Sequence, residues 1–286
     1  MKPILVHCHI YYTNLYEELE TCIKNITVPF ELYITMVEKN ISLINKINKS
    51  FPNAKIEIVE NRGFDIAPFI HILNKVNLNN YSYIIKLHTK RDINEYVFYN
   101  YHNLSNNHWR KYLLSFISSK KNFEKTISIL SKNKNIGMCS NYKVICSKTK
   151  FKKIKSKIDE IFKKLNLTLK TKKYVCGTMF IAKSELFIPI QKLNLSIYDF
   201  EKPLNHNDGT LAHIFERIFG YIIYAQNYTI KDVITPKLKQ IIDFEFITIL
   251  FNLKFWKELL YQKKITSSGK TIIKILKIPV YNKKRS

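Results

Sequence analysis

The sequence predicts an α/β fold built on a mostly parallel sheet flanked by helices, and three observations predict it. Apolar runs of strand length alternate with helical patterns over the first half of the chain. Polar, titratable and aromatic residues gather after the strands, while the opposite connections carry plain turn residues such as NKSFPN (48–53) and NLNNYS (77–82). The chain's 286 residues, 46% of them hydrophobic, suffice to bury one full core, with an appendage at the carboxyl end.

In order, ILVHCHI (4–10) is the first strand, too short and lacking the cleavage site of a signal peptide. A helix near 14–26, the strand ELYITMV (31–37), a helix near 39–50, the strand AKIEIVE (54–60), a helix near 67–76 opened by Pro68, and the strand YSYIIKL (81–87) follow. This β-α-β succession implies ligands outside the carboxyl ends of the strands. Helices at 107–117 and 120–133 precede a strand at 136–140, and a lysine-dense insertion (143–173) forms a surface helix with loops. YVCGTMFIAKSEL (174–186) is a strand leading to a helix, and residues 200–225 are a loop, a helix and a last strand. One domain thus spans 1–231, and a basic, aromatic, helical extension spans 232–286.

Net charge is +25, from 47 Lys and Arg against 22 Asp and Glu, far beyond what solubility requires. Nucleic acid, phosphorylated small molecules and an acidic membrane face are the partners such a charge implies, although a general enrichment in Lys, Asn and Ile supplies part of it. Five scattered cysteines without C-x-x-C spacing argue against a disulfide framework or structural zinc and fit a reducing compartment. No run approaches the ~20 apolar residues of a spanning helix.

Five stretches carry candidate chemistry. In VENRGFDIAPF (59–69), Asn61 and Arg62 can donate to carbonyl or phosphate oxygens, Gly63 permits close backbone approach, and Asp65 can accept from ribose or base. The plainer alternative is a turn with Asp65 as helix N-cap. In HTKRD (88–92), His88, Lys90 and Arg91 can neutralise a diphosphate, with Asp92 the nearby carboxylate; the alternative is a solvated basic turn. His7 and His9 share one strand face and read as ligand-contacting or structural residues ahead of metal ligands. In NDGTLAHIFER (207–217), Asp208 is either a general base or an N-cap, with His213, Glu216 and Arg217 around it for substrate contact. Gly177 and Thr178 of CGTMF open a strand where substrate can approach or a bulge can pack, and Trp109 can stack on a sugar or anchor the core.

Taken in order, VHCHIYY, LYEELETCIKNI, FELYIT, VENRGFDIAPF, YIIKLHTKR, WRKYLL, NIGMCS, CGTMFIAKSEL and DGTLAHIFERIFG resemble the rhamnan synthesis F family, over residues 6 to about 224. The resemblance implies a GT-A-like glycosyltransferase with a Rossmann-type sheet, working in bacterial surface polysaccharide or lipopolysaccharide assembly. It implies a nucleotide-sugar donor, deoxythymidine-diphosphate rhamnose as first guess, and a lipid-linked or oligosaccharide acceptor. Asn61, Arg62 and Asp65 would then hold the donor, Lys90 and Arg91 would meet the departing diphosphate, and Asp208, with Glu216 as substitute, would be the base of an inverting transfer. HTKR stands where relatives of this fold carry a metal-binding carboxylate pair, so no cofactor is required, and a divalent metal stays open.

The tail, with FEFITILFNLKFWKELLYQKK (244–264) and KTIIKILKIPVYNKKRS (270–286), mixes apolar and lysine residues suited to an acidic membrane interface, the alternative for 244–264 being a helix packed on the domain. The expected location is therefore the inner face of the bacterial cytoplasmic membrane, and no nucleic-acid partner is expected. Two other readings compete: a nucleic-acid-binding protein, whose affinity would fall steeply with salt, and a metallohydrolase built on His7, His9, His88 and Asp208.

Overall fold

The computed structural model describes residues 2–94, 98–99, 102–147, 152–203, 209–236, 260–265, 270–275 and 278–284. Its elements in chain order are β1 (Ile4–Ile10), α1 (Tyr16–Ile23), β2 (Phe30–Met36), α2 (Ile41–Ser50), β3 (Lys55–Ile58), α3 (Ile66–Lys75), β4 (Tyr83–His88), β5 (Phe98–Tyr99), β6 (His102–Asn103) and α4 (His108–Leu113). Then come α5 (Lys120–Lys132), β7 (Ile136–Cys139), β8 (Ile145–Cys146), α6 (Lys152–Lys164), β9 (Tyr174–Val175), β10 (Phe180–Lys183), α7 (Ile188–Gln191), α8 (Leu211–Ala225) and β11 (Thr229–Lys231). Strands β12 (Tyr261–Ile265), β13 (Lys270–Ile275) and β14 (Ile278–Lys284) close the chain. Two compact units, Met1–Thr235 and Pro236–Ser286, divide it.

In the first unit, seven strands form one sheet in the order β11-β7-β10-β4-β1-β2-β3. Neighbours are parallel except β10, which runs antiparallel to both β4 and β7. The predicted mostly parallel α/β architecture is therefore the one observed. From β1 the chain winds outward through β2 and β3, then returns to place β4 on the other side of β1. That reversal opens a crevice at the carboxyl ends of β1 and β4, because their following loops must diverge.

Register decides what the crevice floor contains. His9 stands opposite Thr35 and His88, and His7 opposite Lys86. Since side chains alternate across a strand, these residues project from one face, whereas Val6, Cys8, Ile34, Ile85 and Leu87 project from the other. The first face carries a buried polar row; the second is wholly apolar. Phe69 of α3 covers the row, its ring 5.6 Å from that of His7. Phe180, Phe187 and Phe219 pack edge-on around Phe69 at 5.3–6.1 Å, and each ring so buried stabilises the fold by about 1.5–3 kcal/mol.

Four boundaries differ from the sequence reading. β4 extends through His88, so this histidine is a strand residue facing the interior instead of a loop cation. The stretch 174–186 is two strands with a turn between them, and Gly177 and Thr178 lie in that turn, ahead of β10. The last strand expected at the end of 200–225 is instead the second half of α8. Gly220 is required there by closeness: a Cβ would come within 2.3 Å of the Tyr174 Cα. Finally, the second unit's described elements are strands in the antiparallel order β12-β13-β14, where a helical extension was expected. Branched residues alternating with lysines, as in KTIIKI, suit a pleated two-faced strand better than a helix. Most of 244–264 lies outside the described residues. Among the described residues no helix is long and apolar enough to cross a membrane.

Candidate functional site

A cleft of about 640 Å³ fills the crevice, lined by His9 of β1 with Tyr11 and Tyr12 after it, Asn61, Phe64 and Asp65 after β3, His88 of β4 with the run from Thr89 to Asn94 after it, Trp109 and Pro203. A smaller cavity of about 260 Å³ adjoins it and shares Phe64, Asp65, His88 and Lys90. Gly177, Thr178, Ala212, His213 and Glu216 complete the smaller one. Of the residues expected at the site, His9, Asn61, Asp65, His88, Lys90, Arg91, Trp109, Gly177, Thr178, His213 and Glu216 thus come together. His7, Arg62, Gly63 and Arg217 line neither cavity, and Asp208 lies outside the described residues.

Asp65 occupies the N-cap position of α3 without capping it. Its Oδ2 instead accepts from Lys86 Nζ and, at 2.6 Å, from Thr178 Oγ1, while Lys86 also donates to Thr178 at 2.9 Å. Burial alone would raise this carboxyl, yet the charge of His88 once it is protonated, the Lys86 ammonium, and the hydrogen bonds from Lys86 and Thr178 hold it well below the usual carboxylate range. Asp65 therefore stays ionised beside a fully buried lysine, and Oδ1 is left without a bond among the described residues.

The histidines behave differently. His7 Nε2 and His9 Nδ1 share the Thr35 hydroxyl, each at 2.9 Å. His88 donates through Nε2 to the Gly177 carbonyl at 2.8 Å. Burial pushes His88 down to about 4 and His9 to about 3, with Asp65 opposing in both. Burial thus favours the neutral form of His9 and His88, so the positive charge expected of the cleft does not rest on His88. That charge comes from Lys90 and Arg91 on the cleft wall. Lys90 sits 4.0 Å above the Trp109 ring, a cation–π contact that holds the ammonium in place.

Gly63 and Arg62 serve the loop's shape. Gly63 adopts φ +60, and a Cβ would meet Phe200 at 2.8 Å. Arg62 donates to the Phe200 carbonyl at 3.0 Å and pairs with Glu60 at 3.2 Å, so both residues pin the loop to the 200–201 segment. Gly177 likewise yields to Trp109, whose Nε1 lies 2.9 Å from where a Cβ would be. Arg217 is buried, donating to the His213 carbonyl at 2.5 Å and lying over the Tyr174 ring. Glu216 faces the smaller cavity, its Oε1 accepting from the Gly177 amide at 2.8 Å. At the start of α8 the Leu211 amide donates to the Glu201 carboxylate at 3.0 Å. The helix thus begins three positions beyond Asp208, with its first amide already engaged.

Several contributors escaped the sequence reading. The Thr89 hydroxyl accepts from the Tyr11 and Tyr12 amides, both at 2.9 Å, which tethers the β1 loop to the β4 loop. Arg110 of α4 donates to the Lys90 carbonyl at 3.2 Å, to Glu18 at 2.6 Å and to Asp92, so Asp92 is neutralised by a protein cation. Phe64 follows Gly63 with φ 55, a conformation costing a bulky residue on the order of 1–3 kcal/mol, and remains 43% exposed. One signal for Lys86 did exist: a lysine within an otherwise apolar strand needs a buried partner. Among the described residues no three His, Cys, Asp or Glu side chains converge as a metal-binding group.

Fold and site define an α/β protein with a cation-lined, aromatic-lined cleft where its strand order reverses. The rhamnan synthesis protein F family model matches residues 1–228, and the chain belongs to that family. Two curated relatives, both the uncharacterized protein WxcX of Xanthomonas campestris pv. campestris strains, are 26% identical over 234 residues. The alignment takes in 79% of this chain and 32% of theirs, so the chain spans about a third of the relatives' length. A solved structure of residues 1–349 of TarS from S. aureus is similar at TM-score 0.42 and 12% identity, covering 82% of this chain and 58% of that one.

Proposed function

We propose that the chain is a glycosyltransferase moving a sugar from a nucleotide-sugar to a growing bacterial surface glycan, with rhamnose as first donor to test. The observation carrying this reading is the cleft at the β1–β4 reversal, lined by Lys90 and Arg91 together with Tyr11 and Tyr12. The tyrosines offer apolar faces for a base, Asn61 and the unengaged Asp65 Oδ1 offer hydrogen bonds for ribose, and the cations suit a diphosphate. In the transfer, an acceptor oxygen bonds to the anomeric carbon as the bond to the diphosphate breaks. The acceptor's proton passes to a carboxylate, Asp208 in this reading with Glu216 as stand-in, giving inversion. Lys90 and Arg91 stabilise the charge on the leaving group, so the reading asks for no cofactor.

Calorimetric titration with nucleoside diphosphates and their sugar conjugates tests it. Lys90→Ala should weaken diphosphate binding about tenfold, ~1.4 kcal/mol. Asp208→Asn should abolish transfer while donor affinity stays within several-fold. Absence of any binding by the parent protein would sink the reading, and near-normal turnover by Asp208→Asn would remove the base assignment.

The net charge of +25 supports a position on the acidic inner face of the cytoplasmic membrane, where lipid-linked glycans are assembled. Deleting residues 265–286 should reduce co-sedimentation with anionic liposomes. Unchanged sedimentation refutes a membrane role for the tail.

A further inference from the structure

Phe64 is a cleft residue whose large apolar side chain is left substantially exposed. It is a phenylalanine held at φ 55, directly after a glycine at φ 60, and its side chain stays 43% exposed instead of joining the core. The surrounding loop enforces this. The Gly63 amide donates to the Glu201 carbonyl at 3.0 Å, and the Gly63 carbonyl accepts from Ile66 at 3.0 Å and from Ala67 at 3.3 Å. Asp65 is anchored to Lys86 and Thr178 on the other side. The ring is therefore delivered to the wall common to both cavities, where it meets His213 edge-on at 5.7 Å.

Position along the donor narrows the role. Lys90 also borders both cavities, so a diphosphate on Lys90 lies between a nucleoside near Tyr11 and Tyr12 and whatever group follows it. That group enters the smaller cavity beside Phe64 and Glu216. A pyranose presents axial C–H bonds on one face, and an aromatic ring is the side chain that receives such a face. We propose that Phe64 is the platform on which the transferred sugar stacks, a specificity-determining residue acting on the hexose and not on the nucleotide. This rests on the nucleotide-sugar reading above.

The test compares a nucleoside diphosphate with its sugar conjugate, using dTDP, UDP and GDP and their hexose conjugates on the full chain. Phe64→Ala should weaken the preferred conjugate about tenfold, while the bare diphosphate stays within about twofold and Phe64→Trp recovers most of the loss. Phe64→Gly, which tolerates a positive φ, supplies a second ring-free variant if Phe64→Ala folds poorly. Equal weakening of diphosphate and conjugate, or no weakening of either, overturns the platform while leaving the diphosphate site intact. Failure of the parent protein to bind any of these ligands overturns the nucleotide-sugar reading and the platform together.

Discussion

The corners Gly63–Phe64 and Gly177–Thr178 have the same backbone signature and opposite fates. Each pairs a glycine at positive φ with a side-chain-bearing residue at positive φ, 55 for Phe64 and 51 for Thr178. Thr178 is buried, and its hydroxyl bonds both Asp65 and Lys86, so the local strain is offset by a polar network inside the fold. Phe64 is exposed, and its strain has no comparable return within the protein. Similar strain thus has an explanation inside the fold at Thr178, and at Phe64 it is accounted for by the proposed sugar platform.

Removing the partner that Thr178 serves should have the largest effect. Asp65→Asn leaves the Lys86 ammonium buried without its counter-charge and should cost about 3–5 kcal/mol in urea denaturation. A loss below ~1 kcal/mol would mean that the network does not hold the Thr178 corner.

Acid should strip the same region next. Folded-state values for His88 and His9, near 4 and 3, lie below the ordinary 6.5, so the unfolded chain binds more protons between those limits. Stability is then full above about pH 6.5 and is lost as pH falls toward 4; the His88 shift alone corresponds to on the order of 3 kcal/mol. Asp65, depressed below its unfolded value, adds a further loss only below pH ~4. An unfolding free energy that stays flat from pH 7 to 4.5 would show that these imidazoles are not buried and neutral.

The smallest effect separates the two corners most directly. Phe64→Gly and Thr178→Gly relieve similar backbone strain, so their difference isolates the side chains. Thr178→Gly should be less stable than Phe64→Gly by about 1–3 kcal/mol, the value of its buried hydrogen bonds. Phe64→Gly itself should stay within ~1 kcal/mol of the parent. Equal losses in the two variants would show that Phe64, too, is a packing residue.

The sequence by itself determined the alternation of strands and helices, the clustering of chemistry after β1, β3 and β4, and the family. These follow from periods and motifs that are local along the chain: strand runs are read within seven residues, and HTKR or NRGFD within five. Tertiary structure alone decided which of those residues face a ligand. Register set His7 beneath Phe69 and made His88 neutral; antiparallel β10 and the turn before it brought Thr178 to Asp65 from more than a hundred positions away. Arg62 was diverted to Phe200 and Asp92 to Arg110 by the same kind of distant contact. Burial and partnership set the charge of an ionisable side chain, and both are properties of the fold rather than of neighbours in sequence.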